Sequence, residues 1–182
     1  RGLAGGYNAN VFRLSKEFEN AEFIPVGKRA CDRFSGEQIL CEGFGFAEAR
    51  ELSERLCREF ENKEFSKLLI LYTKYNSVLS QEATAKTLLP LEKDESAPAS
   101  GAVFEPDELT VLNSIVSEYL AGIIYSLVCE SYACEIAARR NAMDSAGKNA
   151  QQMIDDLRLK YNRARQGAIT QEITEIVAGS GE

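Results

Sequence analysis

The sequence predicts an α/β domain with an open sheet over residues 1–105, followed by one very long helix over residues 106–182. Three observations carry this reading. Helical and strand-like segments alternate up to about residue 105. No proline occurs after Pro106. Apolar or small residues then recur at steps of three and four from Leu109 to Ala168.

The elements follow in order. Asn8 or Asn10 is a candidate cap for a first helix that carries Val11, Leu14 and Phe18 on one face. AEFIPV (21–26) reads as a short strand, ended or placed at an edge by Pro25. FAEARELSERLCREFENK (46–63) is an amphipathic helix, with Ala49, Leu52, Leu56 and Phe60 on its apolar side. SKLLILYTKY (66–75) reads as a strand buried on both faces, the pattern of a parallel sheet, and TAKTLLPL (84–91) as another strand. EKDESAPASG (92–101) is acidic and rich in small residues, as a flexible, solvated loop is.

The long helix is expected to start with Pro106 at its first helical position and Asp107 and Glu108 in its first turn, where negative charge suits the helix dipole. Its stripe runs through Leu109, Leu112, Val116, Tyr119, Ile123 and Leu127. It resumes at Cys134 and continues through Ala138, Ala142, Ala146, Ala150, Met153, Leu157, Tyr161, Ala164 and Ala168. Some 70 residues of helix span on the order of 100 Å at ~1.5 Å per residue. Such a helix is expected to project from its domain, and its apolar stripe calls for a partner.

Composition excludes several function classes. A net charge of −7 argues against a nucleic-acid partner, whose phosphates call for a basic face. The absence of histidine removes the usual general base and imidazole metal ligand. Five cysteines, Cys31, Cys41, Cys57, Cys129 and Cys134, form no CxxC pair and read as reduced thiols of an intracellular protein, with Cys57 on the buried side of its helix. No stretch is read as apolar enough to span a membrane. The residues supply no catalytic group, metal site or cofactor site.

The opening RGLAGGYNAN raises the question of a phosphate-cradling turn. Gly2, Gly5 and Gly6 match neither GxGxxG nor GxxxxGK[ST], and both motifs call for a strand before the turn, which the given residues are not expected to supply.

The C-terminal run KYNRARQGAITQEITEIVAGS (160–180) resembles the signature that ends the gamma subunit of F-type ATP synthases. RGLAGGYN, VFEPDEL and SYACEIAARRNAM resemble other parts of the same subunit in the same order, so the likeness covers essentially the whole chain. Ala4, Cys134 and Arg140 stand where cysteine, serine and methionine are usual, and the tail ends in SGE. No inserted cysteine pair of the chloroplast type is found, which favours a bacterial or mitochondrial type.

The resemblance implies a Rossmann-like domain whose glycine turn is structural, and a C-terminal helix forming half of an antiparallel coiled coil with an N-terminal helix. That helix and a first strand are expected to be missing before Arg1. The implied function is that of the central rotor shaft, a non-catalytic subunit without cofactor. It couples proton-driven rotation of a membrane ring of c subunits to the beta catalytic sites. The implied partners are the alpha, beta and epsilon subunits, the c ring and the missing N-terminal helix. The implied location is the periphery of the bacterial plasma membrane on its cytoplasmic face, or the matrix side of the mitochondrial inner membrane.

Residue by residue, the likeness assigns Arg139, Gln166, Thr170, Glu172, Ile173, Ile176 and Val177 to the interface with the alpha/beta ring. Phe104 and Glu105 are assigned to the interface with epsilon and the membrane ring. Gln166 and Thr170 share a helix face by their i,i+4 spacing. Ile169, Ile173, Ile176 and Val177 form an apolar tip. The competing reading is a Rossmann-like nucleotide-binding domain with a helical oligomerisation tail. The fragment alone is expected to self-associate through the 109–177 stripe.

Overall fold

A computed structural model describes residues 2–18, 20–34, 39, 44–91, 105 and 107–181. The elements are α1 (Tyr7–Leu14), α2 (Lys28–Arg33), α3 (Phe46–Glu61), β1 (Leu68–Tyr75), β2 (Gln81–Leu89) and α4 (Glu108–Gly179). The chain divides into two compact units, Arg1–Arg140 and Asn141–Glu182.

In the first unit, β1 and β2 pair antiparallel, from Leu68 opposite Leu89 to Tyr75 opposite Gln81. This corrects the parallel reading of SKLLILYTKY. Its apolar run reflects partial cover from Leu68 to Leu71, full burial only at Tyr72 and Thr73, and exposure at Lys74 and Tyr75. The five-residue turn 76–80 closes through Ser80, whose carbonyl accepts from the N–H groups of Asn76 and Ser77 at 3.2 and 2.9 Å. The expected strand at 21–26 is reduced to one parallel bridge, Val26 opposite Ile39. α1 begins at Tyr7 after Gly6, so Asn8 and Asn10 lie inside the helix and do not cap it.

α3 matches its expected amphipathic pattern. Glu48 reaches back to accept the Gly45 N–H at 2.8 Å, closing the first turn. Ala49, Ser53 and Leu56 are its buried face. They meet Leu88 and Leu89 of β2 and Leu120 and Ile124 of α4 in one core. Cys57, expected on the buried side, is half-buried at the edge of that core. The four described cysteines are free thiols, Cys31 and Cys134 buried and Cys129 exposed.

α4 is a single helix of 72 residues. Its first turn is capped by Asp107, whose Oδ1 accepts the Thr110 N–H at 2.9 Å while Thr110 Oγ1 donates to Oδ2 at 2.7 Å. These bonds hold the Asp107 carboxyl below its ordinary pKa. Asp107 is therefore the cap rather than a first-turn residue, and the helix starts at Glu108. Pro106 and the acidic stretch 92–101 lie outside the described residues.

The near half of α4 carries apolar residues beyond the expected stripe. Leu120, Ala121, Ile124, Leu127 and Cys134 are buried, whereas Leu109, Leu112 and Tyr119 are exposed. The near half is apolar on two sides, so periodicity alone does not tell which side meets the domain. An 18-residue window of α4 reaches a mean hydropathy of 1.5, long and apolar enough by composition to cross a membrane. This corrects the expectation that no stretch is. Of that window 22% is buried inside the protein, and Leu120, Ile124 and Leu127 of α4 serve as core.

Candidate interaction site: a helix clamped at two levels

The first unit grips α4 at two levels. At the lower level, Ser53 Oγ donates to the Ser117 carbonyl at 2.6 Å, and Arg50 pairs with Glu118 at 2.7 Å. Both partners come from α3. At the upper level, Glu130 Oε1 accepts the Tyr75 N–H at 2.9 Å, at the end of β1. Tyr7 OH donates to the Ser131 carbonyl at 3.0 Å and lies 2.7 Å from Ser131 Oγ. The Cys134 thiol donates to the Thr73 carbonyl at 3.3 Å. The partners at this level come from α1 and β1.

Residues 117 and 130 are about 20 Å apart along a helix rising ~1.5 Å per residue. A helix held at one level can swivel about that contact. Held at two levels by polar groups from three elements, it cannot turn about its own axis without breaking several directional bonds. Burial supports the same conclusion: Leu120 and Cys134 are 0% exposed, so rotation would drag both into water.

The glycine turn belongs to this clamp. Gly5 has φ 56, in the left-handed region. A Cβ on Gly5 would meet nothing within 4 Å, so the backbone angle, and not a close neighbour, is what calls for glycine. The turn delivers Tyr7 as the first residue of α1. Burial raises the Tyr7 phenol pKa, the Ser131 hydrogen bond lowers it, and the nearby Glu135 charge raises it, with the net shift upward. Sequence reasoning gave Tyr7, Ser117, Glu118, Glu130 and Ser131 no part in a site. The one sequence signal is the gap in the apolar stripe between Leu127 and Cys134, where Glu130 and Ser131 stand.

The residues expected at interfaces are distributed as follows. Arg139 is half-buried and ion-paired to Glu135 one turn back, through Nη2 and Oε1. Gln166, Thr170 and Glu172 are exposed in the second unit. The Thr170 hydroxyl donates to the Gln166 carbonyl at 2.8 Å, which places the two residues one turn apart on the same side of the helix. Ile173, Ile176 and Val177 are exposed, as are Met153, Leu157 and Tyr161. Glu105 is exposed, and Phe104 lies outside the described residues. Among the described residues no group of three or more Cys, Asp or Glu side chains is placed to hold a metal ion.

Comparison with known proteins gives consistent matches. A family model described as ATP synthase matches residues 1–181. The ATP synthase gamma chain of Mycoplasmopsis pulmonis is 38% identical over 195 residues, covering 100% of this chain and 70% of that protein. The gamma chain of Staphylococcus carnosus is 38% identical over 200 residues, covering 99% and 70%. Among solved structures, a chain of the Euglena gracilis mitochondrial ATP synthase rotor superposes with a TM-score of 0.67 at 20% identity, covering 93% of this chain and 71% of that one. A chain from the OSCP, F1 and c-ring assembly of the same enzyme gives 0.68 at 21% identity, covering 98% and 68%. These two likenesses carry the fold, an α/β domain joined to a long C-terminal helix.

Proposed function

The chain belongs to the ATP synthase gamma-chain family, and from that premise we propose that the two-level clamp makes α4 the drive shaft of a rotary motor. The gamma chain is the central-stalk rotor subunit, a part of the membrane-associated ATP synthase. It works with the alpha and beta subunits around the shaft and with epsilon and the c ring at its foot. The single observation that supports a mechanical reading is the clamp at Ser117, Glu118, Glu130, Ser131 and Cys134. A torque applied to the α/β domain passes into α4 through these bonds instead of being lost as swivel.

In this reading residues 1–105 are the driven domain and residues 106–182 the shaft. The shaft performs no chemistry and needs no cofactor. Its exposed apolar residues, Leu112, Ile115 and Tyr119 in the first unit and Ile154, Leu157 and Tyr161 in the second, recur at steps of three and four, the spacing of a coiled-coil seam. Arg139, Gln166, Thr170 and Glu172 contact the surrounding ring, and Ile173, Ile176 and Val177 form an apolar bearing surface. Dispersion contacts are non-directional, so such a surface can slide. Polar contacts of ~1–3 kcal/mol each latch an angle without locking it. Phe104 and Glu105 face epsilon and the c ring. The complex sits on the cytoplasmic face of a bacterial plasma membrane.

The test is a chimera in which residues 1–182 replace the matching part of the Staphylococcus carnosus gamma chain. One copy is expected in a complex with three alpha and three beta subunits by native mass spectrometry, with ATP-driven proton pumping in membrane vesicles. Replacing Arg139 and Gln166 together by alanine is expected to weaken pumping while assembly persists. A chimera that stays outside the complex overturns the reading.

A further inference from the structure

We infer that Glu135 is a positioning residue, which holds the Arg139 guanidinium ready for its acceptor on the ring. The inference rests on the reading of Arg139 as a ring contact. The pair differs from the other ion pairs of α4. Arg139 and Glu135 side chains are 27% and 22% exposed, against 76% and 62% for Lys148 and Asp144 and 73% and 60% for Arg158 and Asp155. An exposed i,i+4 pair is weak because water competes for both charges. A partly desolvated pair holds its geometry better.

Glu135 also stands at the end of a row fixed to the domain. It lies one turn beyond Ser131, which Tyr7 grips, and one turn before Arg139. The row 131–135–139 therefore carries position from the glycine turn to the guanidinium. An unpaired arginine samples many rotamers and gives up side-chain entropy when it is fixed. Here part of that ordering precedes contact with the ring. The guanidinium has five donors and a carboxylate occupies at most two, which leaves an edge for a second acceptor, a carboxylate or a backbone carbonyl.

Three variants of the chimera complex test this, read by proton pumping per vesicle and by thermal unfolding. Arg139→Gln is expected to slow pumping at least tenfold, as loss of a charged hydrogen bond does. Glu135→Gln is expected to slow it severalfold, with little further loss when both changes are combined. The exchange Glu135→Arg with Arg139→Glu rebuilds an i,i+4 pair, and is expected to recover the thermal midpoint but not the pumping. If Arg139→Gln pumps like the parent, the ring-contact reading itself fails. If Arg139→Gln is impaired and Glu135→Gln is not, that reading stands and the positioning role is overturned. Recovery of pumping by the exchange also overturns it, since the pair would then be only a helix brace.

Discussion

Tyr7 and Ser131 are 124 positions apart in the chain, yet their hydroxyl oxygens lie 2.7 Å apart. The contact joins the start of the described chain to a point in the first half of the long helix. It is formed only when the α/β domain and α4 are correctly docked.

Tyr7→Phe removes this bond and the one to the Ser131 carbonyl while keeping the ring. The expected loss is ~0.5–1.5 kcal/mol per bond, or a fall of several degrees in the thermal midpoint for a chain of this size. The phenol has its pKa raised above 10.0 in the folded protein. Its neutral form is thus favoured by folding, and that stabilisation is complete below pH 10 and lost as pH rises through the folded value. The advantage of the wild type over Tyr7→Phe should be constant from pH 6 to 9 and shrink above pH 10. Paired thermal melts across that range check it; an advantage that grows with alkalinity contradicts the assignment.

Leu120 and Leu112 are both leucines on α4, 0% and 53% exposed. Leu120→Ala is expected to cost about 2–5 kcal/mol, because it leaves a cavity between α3, β2 and α4. Leu112→Ala should stay within about 0.5 kcal/mol of the parent in the isolated chain. Urea titrations of the two variants side by side decide whether the domain packs on the Leu120 side of α4; a larger loss at Leu112 would place it on the other.

Gly5 and Gly6 are adjacent, and only Gly5 has a left-handed φ, 56 against −81 for Gly6. Gly5→Ala is expected to destabilise by ~1–2 kcal/mol through backbone strain. Gly6→Ala should cost less, since its Cβ would meet Asn10 at an ordinary 3.7 Å. Equal losses at the two positions would show that the turn is shaped by something other than this angle.

Much of the architecture was legible in the sequence where one pattern had one explanation. α3 showed itself through Ala49, Leu52 and Leu56, and α4 through its long apolar period and the absence of proline. The antiparallel pairing of β1 and β2 was not legible, because the turn Asn76–Ser77–Val78–Leu79–Ser80 holds no glycine or proline to announce a hairpin. The buried face of α4 was not legible, because Leu112 and Leu120 belong to two apolar sides of one helix. The clamp was invisible for a different reason: Tyr7, Ser53 and Tyr75 reach α4 across long stretches of chain, and no local spacing records such contacts. The residues proposed to face the ring were named by family resemblance alone, since exposed polar side chains such as Gln166 and Glu172 have no pattern of their own.

The two levels of grip on α4 also restrict how this gene can change length. Deleting one residue between Leu127 and Glu130 would turn Glu130, Ser131 and Cys134 by ~100° relative to Ser117 and Glu118, away from Tyr75, Tyr7 and Thr73. Removing seven between Glu118 and Glu130 would return them to within about 20°, but shift them by two turns along the axis. Neither change preserves both grips. Between the two levels the spacing of the helix is therefore expected to tolerate no insertion or deletion that keeps both grips, while the hairpin turn at 76–80 supplies no partner to either level.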